Sequence, residues 1–177
     1  MSENLSSGGK KVSSLLRRLL FIYAFVLGIY LGGATFETTV LVPMWSASPD
    51  AARYFNQNPL SVFNTGNFFF IVAPLSTLLS IVTLIAGWRA EQPVRFWIRA
   101  AIIPFLIIFL ITAFYFVPEQ GAIKGAAAQS LPDAELTARA SRWVMLNWIR
   151  QALALPILGA TLHALGLAYR QSAKTND

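Results

Sequence analysis

Trp143, Asn147 and Arg150 stand at i, i+4 and i+7 within the run Trp-Val-Met-Leu-Asn-Trp-Ile-Arg, which opens the last long apolar stretch. On a helix the three side chains project within about 60° of one another. Arginine offers a planar fork of donors on a permanent cation, and an amide offers both a donor and an acceptor. Such a pair stabilises a carboxylate or a developing oxyanion. Polar groups of this kind are expensive in hydrocarbon, so they face a protein interior, find partners and mark function. The elements around them must supply those partners.

The composition says what those elements are. Of 177 residues only 12% are charged and 55% are hydrophobic, with mean hydropathy +0.55. An ordinary soluble domain is roughly 25% charged. The chain reads as an integral membrane protein, all-α, with room for four spans of ~20 residues and no separate soluble domain. A net charge of +6 could suggest nucleic acid, but the basic residues lie beside the apolar segments rather than in one patch. They are topology signals, and no nucleic-acid partner is expected. The absence of cysteine excludes disulfides, thiolate metal sites and thiol catalysis.

Residues 1–18 form a polar, basic tail ending in Arg17 and Arg18. The first span covers about 19–42 and is too long for a signal-peptide core. Gly28 and Gly32 form a small-xxx-small pair in it, suited to close approach of another helix, and Glu37 lies near its far end. Trp45 suits the membrane interface, and Pro43, Pro49 and the polar residues 46–59 mark a connection. The second span, about 61–88, holds Asn64, Asn67 and Pro74, the last expected to kink it. A basic turn with Arg89, Arg95 and Arg99 leads to the third span, about 100–117. The longest connection, 119–142, has a second half from Asp133 to Arg142 that can form a helix running into the fourth span, about 143–168. The transmembrane domain thus occupies 19–170, with a short tail at 171–177.

Lys10, Lys11, Arg17, Arg18, Arg89, Arg95, Arg99, Arg170 and Lys174 make nine of the 14 basic residues, all near the termini or in the second connection. An antiparallel four-helix transmembrane bundle with both termini cytoplasmic follows. At ~1.5 Å per residue, Glu37, Asn67 and Asn147 all fall roughly 6 to 9 Å inside the outer boundary. Arg150 lies one turn deeper, and Thr112 and Tyr115 enter the same layer from the third span. The four spans are therefore expected to converge on one polar pocket, with Arg150 pointing at Glu37, since a paired charge persists where an isolated one does not. The bland alternative is that these groups only lock helices together. His163 lies 13 residues after Arg150, about 220° away on a helix, so it belongs to packing or the interface rather than the pocket. No metal site is expected, and phosphate loops, nucleophile elbows and zinc motifs are absent.

Val40-Leu41-Val42-Pro43-Met44-Trp45, Phe116-Val117-Pro118 and Trp143-x-x-x-Asn147-Trp148-x-Arg150 together resemble the anthrone-oxygenase-like four-helix membrane proteins, over roughly 19–167. The residues that match are Pro43, Pro118, Trp143, Asn147 and Arg150. The resemblance implies a small integral membrane protein, in bacteria one of the inner membrane. Some fungal members oxidise anthrones to anthraquinones with molecular oxygen and no established cofactor, so the cofactor here stays unknown. The histidine associated with this motif in oxygenase members is not matched: positions 148 and 151 hold Trp148 and Gln151.

Two functions compete, while a third, a small-molecule or ion carrier, is disfavoured because four short spans without internal repetition make a poor alternating-access machine. In the first, an oxygenase or other redox enzyme takes a lipophilic aromatic small molecule from the lipid bilayer. Glu37 is then the base, Arg150 and Asn147 stabilise the oxyanion, and Asn67, Tyr115 and Trp143 bind the substrate. In the second, the chain is a non-catalytic subunit joined to a membrane protein partner or to its own copies through the Gly28/Gly32 face.

Overall fold

The computed structural model describes residues 14–57 and 65–173. Most of the basic tail, Asn64 and Lys174 lie outside the described residues. In hydrocarbon every backbone N–H and C=O must be satisfied within the segment, so apolar stretches of this length become helices. The long ones are α1 (Ser14–Ser46), α3 (Thr65–Gly87), α4 (Gln92–Ala122) and α5 (Asp133–Ala173), with the short α2 (Pro49–Arg53) after α1. All four long helices are apolar enough to cross a membrane, and no strand occurs among the described residues.

The helices outrun the expected spans. The basic stretch 92–99 is helical rather than a turn, and α5 joins the expected 133–142 helix to the last span without a break. At 41 residues α5 is ~60 Å long, about twice a ~30 Å hydrocarbon core, so part of it stands clear of the bilayer.

Two of the helices change pitch at matching places. α1 widens to a π-turn over Glu37–Leu41 and α4 over Thr112–Phe116, each ending two residues before a proline, Pro43 and Pro118. A proline lacks the N–H and crowds the carbonyl one turn back, and the wider turn absorbs both defects without ending the helix.

Each long helix packs chiefly on two others: α1 on α3 and α5, and α4 on α3 and α5. The order around the bundle is therefore α1, α3, α4, α5, with α3 diagonally opposite α5. Arg17 over the Tyr169 ring (5.5 Å) and Trp97 against His163 (4.5 Å) place the start of α1, the start of α4 and the end of α5 together. That half is filled by Leu20, Tyr23, Leu27, Ile98, Ile102 and Phe105 against Ala160, Ala164 and Ala168. The opposite end is closed by the connections. Trp45, Phe55, Phe116, Ile123, Leu136 and Trp143 form a second core there. Arg53 ties α2 to the third connection by donating to the Leu131 carbonyl (2.7 Å) and pairing with Asp133 (2.6 Å).

Two expectations change. Trp45 is buried against Trp143 (ring centroids 5.3 Å apart) rather than standing at the interface, because the cap covers it. Gly28 and Gly32 face open space, and a Cβ at either would meet nothing within 4 Å. The glycine of α1 in close contact is Gly33, where a Cβ would collide with the Phe68 ring. The small residues that let helices approach are Ser76, Ser80, Thr83 and Gly87 on α3 and the alanines of α5. Ala164→Leu should therefore overpack the α4/α5 seam and destabilise by about 1–3 kcal/mol, while Gly32→Leu should leave stability unchanged. Thermal unfolding of both variants in detergent checks the contrast.

Candidate functional site

Asn147 is fully buried on α5 and faces α1. Its amide nitrogen donates to the Thr38 hydroxyl of α1 (2.8 Å), and its amide oxygen accepts from Arg150 (2.6 Å). The other terminal nitrogen of Arg150 donates to the Thr112 hydroxyl of α4 (3.2 Å). The two threonines donate their own protons to carbonyls one turn back, Thr38 to Ala34 and Thr112 to Ile108, both at 2.8 Å. Each hydroxyl can then only accept from α5. Because a guanidinium is donor-only, the amide of Asn147 has one satisfiable orientation: oxygen toward Arg150, nitrogen toward Thr38. Gln151, one residue beyond Arg150, also donates to Thr38 (3.2 Å).

Both threonines belong to the π-turns. The widened turns thus fall at the layer where Thr38 and Thr112 present hydroxyls to α5.

Aromatic rings back the cluster. The Arg150 guanidinium lies 4.6 Å from the centre of the Phe116 ring, a cation–π distance. Phe116 meets Trp143 edge-on at 5.6 Å, and the Trp143 indole donates to the Phe116 carbonyl (3.0 Å). Outside this layer, Arg150 lines a groove of about 170 Å³ between α4 and α5 with Ile108, Ile111, Tyr115, Phe116, Ile149 and Leu153. Ile111, Ile149 and Leu153 are themselves exposed on the surface of a membrane-spanning bundle, so the groove opens toward lipid.

The expected pair does not form. Among the described residues the ion pairs are Arg53 with Asp50 and Asp133, and Arg139 with Glu119 and Glu135, and none joins Glu37 to Arg150. Glu37 sits roughly a quarter turn from Thr38 on α1, so when Thr38 faces α5 the carboxylate turns toward α3. There it accepts from the Thr65 hydroxyl (3.2 Å). Lys124, in the third connection, is close enough to feel its charge; burial pushes that ammonium below its usual value and Glu37 opposes the effect. Asn67 is exposed on α3, the helix diagonal to α5, and does not reach the cluster. Trp143 is buried between Trp45 and Phe116, so Tyr115 and Phe116, not Trp143, wall the groove.

Asn147, Arg150 and Tyr115 are thus brought together, while Glu37, Asn67 and Trp143 stand apart from the groove. Thr38, Gln151 and Phe116 were missed as site residues. Thr38 and Gln151 could have been found from Asn147 itself, since a buried amide on one helix requires a hydroxyl or amide at the same depth on the next. His163 lies exposed against Trp97, well away. No cluster of metal-ligating side chains occurs among the described residues.

The family profile described as anthrone oxygenase matches residues 60–162, more than half of the chain. The chain belongs to the anthrone oxygenase family. The match takes in α3, α4 and most of α5, including Thr112, Pro118, Trp143, Asn147 and Arg150. α1, with Thr38 and Glu37, lies outside it, although Thr38 completes the hydrogen-bonded layer. No curated protein and no solved structure matches the chain.

Asn147→Leu should destabilise the bundle by about 1–3 kcal/mol, because it strands a guanidinium donor and leaves the Thr38 hydroxyl only the longer bond from Gln151. Asn67→Leu, on an exposed position, should be neutral. Denaturant titration in mixed micelles distinguishes the two, and equal effects would contradict the geometry.

Proposed function

We propose that this chain is an integral membrane oxygenase that takes a planar, weakly acidic aromatic substrate from the bilayer into the α4/α5 groove and holds its oxygen on Arg150. The observation that carries this reading is the state of Arg150. It is a cation in a membrane span, bonded to the neutral groups Asn147 and Thr112, without an ion-paired carboxylate among the described residues, and its side chain lines an apolar groove. Of its five N–H groups, two are used by the relay. A permanent charge left without an anion in a low-dielectric setting attracts one.

For an anthrone-type substrate the chemistry follows. Loss of a proton from the ring CH₂ gives an aromatic alkoxide whose charge sits on the oxygen facing Arg150. The ionised ring then reacts with O₂ at the same carbon, and loss of water leaves a second carbonyl. Overall CH₂ + O₂ gives C=O + H₂O, which balances without an added reductant. Arg150 lowers the energy of the ionised form, the role of a preorganised oxyanion site. Asn147 and Thr112 fix the plane of the guanidinium, and Tyr115 and Phe116 offer flat faces to the ring. Glu37 does not line the groove, so this reading gives proton removal no dedicated carboxylate.

With an anthrone as substrate, oxygen uptake and quinone absorbance should fall about 10²–10³-fold in Arg150→Gln, and much less in Arg150→Lys. Glu37→Gln should stay within a few-fold of the unmodified protein. Full turnover in Arg150→Gln would end the proposal.

A second reading, as a non-catalytic subunit or homo-oligomer, is favoured by the open Gly28/Gly32 face of α1. Recovery as a strict monomer without partners would count against it. In either reading we infer from the excess of basic residues at the terminal end that both termini are cytoplasmic. The sequence has no cysteine, so a single one introduced by Ala126→Cys should react with an impermeant maleimide from outside intact cells, and one introduced by Arg89→Cys should not. The reverse pattern would invert the topology.

A further inference from the structure

The two ends of the bundle treat their charges differently. At the end closed by the connections, Arg53 and Arg139 are paired with carboxylates of the chain itself. At the terminal end Arg17, Arg18, Arg89, Arg95, Arg99 and Arg170 face a single described acid, Glu91. Among the described residues none of these six guanidiniums lies within ion-pair distance of a carboxylate.

Within this group Arg95 and Arg99 are set apart by geometry. They stand one turn apart on α4, on one face, and both are half-buried rather than free in solvent. Arg99 is stacked over the Trp88 ring at 4.3 Å, which fixes the plane of its guanidinium, and its Nε is buried without a hydrogen-bond partner. Trp88 itself is exposed at the end of a membrane-spanning helix, as an indole at headgroup depth is. A fixed guanidinium with an unmet donor, beside a second one and at the level of the lipid headgroups, fits a tetrahedral phosphate with several acceptor oxygens.

We propose that Trp88, Arg95 and Arg99 form a binding site for the phosphate headgroup of an anionic phospholipid of the adjoining leaflet. The occupant is a lipid rather than free phosphate because the site is flanked by exposed apolar residues, Ile85 and Phe96, along which acyl chains can lie. The site is at the opposite end of the bundle from the α4/α5 groove, and it stands whether or not the oxygenase reading does.

The test is native mass spectrometry of the full chain released from detergent, after equilibration with phosphatidylglycerol or phosphatidylcholine. The unmodified protein should retain phosphatidylglycerol about tenfold over phosphatidylcholine. Arg95→Gln/Arg99→Gln should lose that preference, whereas Arg142→Gln, at the other end, should keep it. Arg99→Lys, which preserves the charge but not the planar fork, should fall between, and it carries the test if the double variant does not fold. Equal retention of the two lipids by the unmodified protein, undiminished preference in the variants, or displacement of the lipid by equimolar inorganic phosphate would each overturn the proposal.

Discussion

The structure turns on one constraint: a guanidinium held inside a membrane bundle with neutral partners. Removing a charge from water costs several kcal/mol even after relaxation, and a carboxylate partner is the usual remedy. Here Arg150 is instead held by an amide on its own helix, a hydroxyl on α4 and the face of an aromatic ring. Dipoles spread over two helices replace one opposite charge, and a third helix is recruited because Asn147 needs Thr38 to orient its amide. The arrangement leaves the net positive charge in place, which a salt bridge would have cancelled.

That arrangement depends on backbone defects. A hydroxyl presented to a neighbour from a regular helix competes with its own bond to the carbonyl one turn back. In Thr38 and Thr112 both are satisfied together, the proton going backward and the lone pair outward. Both residues sit in π-turns set by Pro43 and Pro118. The prolines that appeared in the sequence as fragments of a family pattern are therefore tied to the polar layer by position. They widen α1 and α4 at the depth where α5 carries its amide and its cation.

That the chain is helical, with four apolar helices long enough to cross a membrane, was legible, because it is a matter of counting residues along apolar segments. Rotation about each helix axis was not. In a soluble bundle the polar face marks what points outward, but lipid is as apolar as the core, so exposed Phe25, Ile85 and Leu155 are chemically indistinguishable from buried Leu20, Ile98 and Ile157. Glu37 and Thr38 share a depth and differ by a quarter turn, which suffices to send one to α3 and the other to α5. The same ambiguity misassigned Asn67 and exchanged the open Gly28 and Gly32 for the packed Gly33. Asn147 and Arg150 escaped it because they lie on one helix, where relative angles follow from spacing alone; Trp143 shares that helix but is closed off by Trp45 and Phe116.

Gln151 shows what the departure from a histidine-bearing motif means physically. The proton of Thr38 is committed to the Ala34 carbonyl, so whatever reaches Thr38 from α5 must donate. An amide meets that demand, and so would an imidazole N–H. With Gln151 the hydrogen bond is kept and the titratable group is given up. The layer of Thr38, Thr112, Asn147, Arg150 and Gln151 then contains neither an imidazole nor a carboxylate. A site of this kind does not move protons itself; it sets the charge environment in which an acidic substrate loses one. The fixed positive charge on Arg150, rather than a base beside it, is the property on which any chemistry in the groove has to draw.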